Sequence, residues 1–199
     1  MLAFRMLSPE FDKFHSKWRA KADGYKDGTL ESAFDRFFTL FVIYNRLYAE
    51  VAFHLARKHQ LKLDDRTSFP DRAAATNYVA QFVGAATVIE LFEANLESAA
   101  AIQSVIALLS GPIEGHQFAV KLDMIHGNPQ PDADLELLNK FRSHNRGERG
   151  LAVLEFLYAV RCNLFHGHKG FEPVQIEIMR PANILLSQII EIVFSRLNR

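Results

Sequence analysis

The fold is decided by residues 31–60, ESAFDRFFTLFVIYNRLYAEVAFHLARKHQ, a stretch that contains neither Gly nor Pro. Aromatic and aliphatic side chains recur along it at helical spacings: Phe34, Phe38, Phe41, Tyr48, Ala52 and Leu55. The opposite arc is mostly charged and holds Asp35, Arg36, Arg46, Glu50, His54 and Arg57. At about 3.6 residues per turn the two sets occupy opposite faces, so the pattern predicts one long amphipathic helix.

Helical patterns account for most of the remaining chain. Ser68, Pro70 and Asp71 form a helix-start signal, and Gly111-Pro112 forms a stop signal. We predict an N-terminal helix that carries Trp18. Further helices are predicted at 68–92 (continuous despite Gly84), 97–109, 113–125, 135–141, 148–166 and 182–197. A short extended piece is predicted at 174–178. We therefore expect an all-α fold: a single domain over residues 1–199, built as an up-and-down bundle of long antiparallel helices with short helices inserted between them.

Composition excludes several classes of protein. The chain has 199 residues, 49% of them hydrophobic, which is typical of a globular domain rather than a disordered chain. Its 23 basic and 23 acidic residues balance, so attraction to nucleic acid or to an anionic membrane must come from a local patch. The single cysteine, Cys162, excludes an internal disulfide and a Cys-based zinc cage. With no apolar run long enough to span a bilayer and no signal-peptide pattern, we expect a cytoplasmic protein.

Arg161 interrupts the apolar face of the predicted helix 148–166. The apolar side chains that share its face are Leu154, Leu157, Tyr158, Leu164 and Phe165. Burying an unpaired guanidinium is costly, so this side chain requires an anion, a set of acceptors or a wet crevice. Breaks of this kind in a local pattern concentrate at functional sites.

Further polar side chains follow Arg161 in the chain. Asn163, His166, His168 and Lys169 come within eight residues of it. Arg161 and His166 would not share a face on an ideal helix, but they converge if the helix unwinds at Gly167 or if two copies meet across a twofold axis. Residues 140–170 contain six basic residues against two acidic ones, a net charge of +4. Such a patch suits a phosphate-bearing partner.

The string VRCNLFHGHKG (160–170) resembles the signature of HEPN domains (higher eukaryote and prokaryote nucleotide-binding), in which an arginine and a histidine, separated by four to six residues, lie near the end of a long helix of an all-α bundle. The string FVIYNRLYAEVAF (41–53) resembles the family pattern less closely. The resemblance implies a metal-independent endoribonuclease, a toxin or antiviral-defence effector, that works as a homodimer with one composite site and is neutralised by an antitoxin protein. Active members often have Asn or Asp after the arginine, whereas this chain has Cys162.

These residues also suit the chemistry of RNA cleavage. Attack by a 2′-hydroxyl on the adjacent phosphorus gives a 2′,3′-cyclic phosphate and requires proton transfer and a cation, but no cofactor. We assign proton transfer to His166, charge stabilisation to Arg161, positioning to Asn163 and phosphate binding to Lys169. His168 and Asn45 are supporting candidates, since the pattern of 31–60 predicts a buried Asn45 amide that orients the site or fixes helix register. The remaining histidines show no metal-ligand spacing, so no metal is assigned.

Plainer interpretations compete with each assignment. Arg161 could be a core-edge arginine paired with a helix carboxylate, Asn163 could only hydrogen-bond a loop, and the basic patch could be a solvated face. Cys162 is more typical of a packed thiol than of a nucleophile. For the whole chain, the alternative to a ribonuclease is a non-catalytic HEPN-like module that binds a nucleotide or a partner. An unrelated bundle is a third interpretation.

Overall fold

The computed structural model of the chain describes residues 7–26, 28–63, 68–111, 119–123, 125–165 and 175–198. Within these ranges the protein is helical and has no β-strand; the bounds, in chain order, are α1 Pro9–Asp23, α2 Leu30–Arg57, α3 Asp71–Ala73, α4 Val79–Val83, α5 Ala85–Glu93, α6 Leu96–Ser110, α7 Pro131–Arg142, α8 Arg146–Phe165 and α9 Ile176–Leu197. A π-helical turn, Ala74–Tyr78, joins α3 to α4. The all-α prediction is confirmed.

Helix α2 is the long helix that the sequence predicts. Thr29 caps its start by accepting from the Ser32 backbone N–H, and its buried face is completely shielded at Phe37, Tyr44 and Val51. Phe38 is half-buried and Asn45 is exposed, so the buried arc is centred to one side of the predicted stripe. The prediction of a buried Asn45 amide is therefore wrong, because this residue lies on the flank of the arc.

The core forms around α2 and α9. Asn183 of α9 is fully buried and donates from Nδ2 to the Ala33 carbonyl of α2 at 2.9 Å, which pins the two helices together. A single cluster of buried apolar side chains runs from Leu7 to Leu197 and includes members of both the N-terminal and the C-terminal helices. Helix α9 is the one helix in the described ranges that is long and apolar enough to cross a membrane, and 61% of its most apolar window is buried within the molecule, as in a core helix.

Three local predictions are wrong. Gly84 breaks the predicted helix 68–92, because its φ of 89° lies in the left-handed region. Within the predicted helix 113–125, the described residues 119–123 and 125 are not helical, and Leu122 instead forms an isolated bridge with Pro129. An extended piece is predicted at 174–178, but helix α9 begins at Ile176 and contains Pro181. In α9, Ile178, Met179 and Ala182 are buried at helical spacing, so packing outweighs the alternating pattern.

Candidate functional site

Arg161 lies in the last turns of α8, against α2 and the start of α3. Its Nη2 is 3.5 Å from Asp71 Oδ2, and its Cζ lies 5.9 Å and 5.6 Å from the ring centres of Phe41 and Tyr158. The side chain keeps 19% of its surface exposed. A carboxylate and two aromatic faces thus balance the charge that the sequence places on an apolar face.

Asp71 is the centre of this cluster. Its carboxylate accepts a short hydrogen bond from the Tyr48 hydroxyl and one of 3.2 Å from the Tyr158 hydroxyl, in addition to the ion pair with Arg161. Burial, together with the neighbouring carboxylate, raises the pKa of the Tyr48 and Tyr158 phenols. Both hydroxyls therefore stay protonated as donors, and they hold Asp71 in place as the partner of Arg161.

Asn163 has a structural partner. Its side chain is buried, and Nδ2 donates to the Val120 carbonyl at 2.5 Å. Asp134, fully buried in the first turn of α7, accepts from the Val120 and Lys121 backbone N–H groups at 3.0 and 2.8 Å. These bonds anchor the segment 119–123 to the bundle, as the plainer interpretation of Asn163 anticipated.

The segment after Lys121 is a small hairpin held by Asp123. Its carboxylate accepts from the backbone N–H groups of Ile125, His126 and Asn128, and these bonds lower its pKa. Gly127 adopts a φ of 69° at the turn. The bridge between Leu122 and Pro129 closes this turn, and Asp123 lines the adjacent cleft.

A cleft of about 580 Å³ lies between this hairpin, the π-helical turn and α8. Lys121, Glu155, Tyr158 and Cys162 line it. Lys121 Nζ is 3.9 Å from Glu155 Oε2, whose carboxylate also contacts Lys140 Nζ at 3.1 Å. The volume of the cleft is within the range of small-ligand sites. In the ranges that the structure covers, no three His, Cys, Asp or Glu side chains are grouped so as to hold a metal ion.

Cys162 lines this cleft. The thiol is half-buried, and Arg161 Nη1 contacts its Sγ at 4.0 Å. One edge of the Arg161 guanidinium thus faces Asp71 and the other faces the sulfur. The residue after the arginine, where the family pattern often has an amide or a carboxylate, here offers a weak acceptor.

The basic residues of 140–165 are largely compensated. Lys140 pairs with Glu136 and Glu155, Arg146 with Glu90 and Arg149 with Glu93. Arg142 donates to the Ser110 hydroxyl at 2.6 Å. Carboxylates on α5, α7 and α8 therefore neutralise a charge excess that looks unbalanced in the sequence alone.

His166, His168 and Lys169 lie outside the residues that the structure describes, so their proposed roles stay predictions. Of the predicted site residues, Arg161 and Asn163 lie near each other on α8, and Asn45 is exposed on α2. The sequence interpretation missed Asp71, Tyr48 and Tyr158, although it placed Asp71 at a helix start and both tyrosines on apolar faces. The need of Arg161 for a carboxylate was the signal that could have linked them.

Comparisons with known proteins add no relative. No match was found among models of protein families, curated protein sequences or solved structures. The candidate site is therefore interpreted from its own residues and from the resemblance at 160–170.

Proposed function

We propose that the protein is a metal-independent endoribonuclease of the HEPN type, with Arg161 and His166 as its catalytic pair, working as a homodimer in defence or as a toxin that an antitoxin protein neutralises. The observation that carries the proposal is the environment of Arg161. Asp71, Phe41 and Tyr158 orient a guanidinium that is still 19% exposed, at the end of the helix that leads directly to His166. A pre-oriented cation, with a histidine five residues later in the chain, supplies the residue types that phosphoryl chemistry requires.

The proposed reaction is an internal transesterification. The 2′-oxygen of RNA attacks the adjacent phosphorus, its proton passes to His166, and the bond from phosphorus to the 5′-oxygen breaks. His166 then gives this proton to the leaving 5′-oxygen, and Arg161 stabilises the charge that develops on the phosphorane oxygens. The products are a 2′,3′-cyclic phosphate and a 5′-hydroxyl. Lys169, His168 and the amide of Asn163 are the proposed supporting residues, and no cofactor takes part.

The second candidate function is a non-catalytic module that binds a nucleotide or a partner. The cleft of about 580 Å³ beside Cys162 favours it, because a ligand could be bound there without any reaction. The ion pair with Asp71 is also compatible with a purely structural Arg161. Under this alternative, a nucleotide raises the melting temperature and Arg161→Ala removes that effect.

Incubation of the purified protein with labelled single-stranded and structured RNA in EDTA tests the proposal. We expect wild type to cleave and His166→Ala to lose cleavage by about 10²–10⁴-fold while keeping its circular dichroism spectrum and sedimentation behaviour. His144→Ala, an exposed histidine on the turn between α7 and α8, is the matched control and should cleave as wild type does.

The ends of the fragments identify the mechanism. Cyclic phosphate ends, released by wild type and not by His166→Ala, support internal transesterification at this site. Equal cleavage by both proteins indicates a contaminating nuclease and contradicts the assignment of His166. The absence of cleavage by folded wild type favours the binding module.

A further inference from the structure

An aromatic and cationic surface at the C-terminal end of α2 has no role in the proposed site. We infer that this surface, which consists of Phe53, Arg57, Lys62 and Phe69 and is called the α2-end surface below, binds single-stranded RNA. The inference deepens the proposed function, on which it rests for the choice of RNA as the ligand. It assigns to these residues the binding of a flanking stretch of the strand rather than its cleavage.

The exposed aromatic pair is the first observation. Phe53 and Phe69 keep 48% and 39% of their surface exposed, and their ring centres are 6.2 Å apart at an interplanar angle of 44°. Apolar rings of this size are normally buried, and an exposed pair is costly to leave in water. Unpaired bases stack on such rings whatever their sequence, which is how proteins commonly hold single strands.

The charge around these rings is the second observation. A groove of about 520 Å³ beside Phe53 is lined by Ala56, Arg57, Leu61, Lys62 and Leu63, and no carboxylate is among these described residues. Residues 51–70 contain four basic residues against two acidic ones, Asp64 and Asp65, a net charge of +2. This contrasts with the basic residues of α7 and α8, which carboxylates of the same molecule neutralise.

Cations at a helix C-terminus also stabilise the helix dipole, so charge alone does not specify a ligand. The combination of cations with exposed rings narrows the choice. A second copy of this chain would be matched by the apolar rings but not by a groove that carries two cations and no described anion. An anionic lipid surface would match both, so the choice of RNA rests on the proposed function, and binding to anionic vesicles in place of the oligonucleotide overturns the inference. A phosphate chain with unstacked bases matches both the rings and the cations.

The α2-end surface is linked to the Arg161 cluster through the buried Tyr48. Phe69 stacks on Tyr48 with ring centres 6.4 Å apart, Tyr48 donates to Asp71, and Asp71 pairs with Arg161. We infer that a strand with its scissile phosphate at Arg161 continues onto Phe69 and Phe53. The surface would add affinity and set the length of single strand that the protein requires.

Binding is tested with a fluorescent 2′-O-methyl oligonucleotide, which lacks the attacking hydroxyl and so separates binding from cleavage. We expect Phe53→Leu, which keeps an apolar side chain but removes the ring, to weaken binding by about tenfold, and Phe53→Tyr to restore it. Arg57→Gln with Lys62→Gln should lower the slope of log K against log salt by about 1.4, the value for two phosphate contacts on a single strand.

Lys13→Gln with Lys17→Gln is the matched control, because it removes two exposed charges on α1, away from the residues of the surface. If these two changes reduce affinity and salt slope as much as the pair at Arg57 and Lys62, binding is non-specific and the inference is overturned. Wild type that binds no oligonucleotide, or that self-associates through Phe53, overturns it too. Loss of oligonucleotide binding in the Phe53→Leu protein supports the inference even if wild type never cleaves RNA. Cleavage of RNA with unchanged oligonucleotide binding in all variants overturns the inference and supports only the proposed function.

Discussion

Arg161 shows how this fold accommodates a charge on an apolar helix face. Its partner, Asp71, comes from a helix start 90 residues earlier in the chain, and two tyrosine hydroxyls hold that carboxylate in place. Partly buried groups of this kind are coupled, because removing one leaves the others without partners. The cluster therefore stabilises the packing of α3 against α2 and α8.

This coupling is measurable. We expect Asp71→Ala and Arg161→Ala each to lower the free energy of unfolding by about 1–2 kcal/mol, since each leaves a partly buried partner behind. The double variant should lose about 1 kcal/mol less than the sum of the two. Urea unfolding followed by circular dichroism measures all three values. Asp35→Asn on the exposed face of α2 should change stability by less than about 0.5 kcal/mol, and strictly additive losses would show that the pair does not interact.

His15 should make stability depend on pH. It is buried on α1 and stacks on Phe194 of α9, with ring centres 3.9 Å apart. Burial lowers its pKa, Glu191 and Asp12 partly oppose this, and Arg19 adds to it. Because the folded pKa lies below the unfolded value of about 6.5, stability is complete above that pH and falls as the pH decreases through it towards the folded value.

Replacement of His15 by Phe keeps a ring against Phe194 and removes the titrating group. We expect wild type to lose free energy of unfolding between pH 7.5 and 5.5 relative to His15→Phe, in urea titrations at each pH. Burial also lowers the pKa of His54. Because His54 is present in both proteins, its contribution cancels in the comparison. Parallel pH profiles would contradict the assignment to His15.

At the scale of elements, hydrophobic periodicity predicted the long helices, because the pattern of each one lies within a single stretch of sequence. Helix α2 and the helices at Leu96–Ser110 and Pro131–Arg142 agree with the predicted ones to within a few residues. Two of the errors fall where a distant partner decides the structure. The segment 119–123 is fixed by Asp134 and Asn163, and the start of α9 is fixed by burial against the core. A sequence pattern of period two or 3.6 carries no information on such partners.

The same limit applies to the candidate site. An arginine on an apolar face could be identified from the sequence because the anomaly lies within one helix. Its partner could not, because Asp71 lies on α3, 90 residues earlier in the chain, and is brought to Arg161 only by folding. The basic patch was misleading for the same reason, since Glu90 and Glu93 lie on another helix.

The contact between α5 and α8 depends on Gly150. A Cβ atom added there would lie 2.0 Å from the Ala85 carbonyl oxygen and 3.0 Å from its carbon, which is backbone that cannot rotate away. We expect Gly150→Ala to lower the free energy of unfolding by about 2 kcal/mol or more, despite the higher helix propensity of Ala. Calorimetry should show a decrease in melting temperature of about 4–8 °C. Gly28→Ala, where a Cβ meets nothing within 4 Å, is the control and should leave the melting temperature nearly unchanged.

At the scale of the whole molecule, the continuous apolar cluster from Leu7 to Leu197 predicts that the chain unfolds in one step. The single Trp18 allows a direct test, because it lies on α1, partly buried against that cluster, and reports one edge of the bundle. Far-UV circular dichroism reports all the helices together. We expect the urea transitions from Trp18 fluorescence and from circular dichroism to have the same midpoint and slope. A fluorescence transition at lower urea would mean that α1 detaches first, and the prediction of one domain over residues 1–199 would then have to be replaced by a core with a separable N-terminal helix.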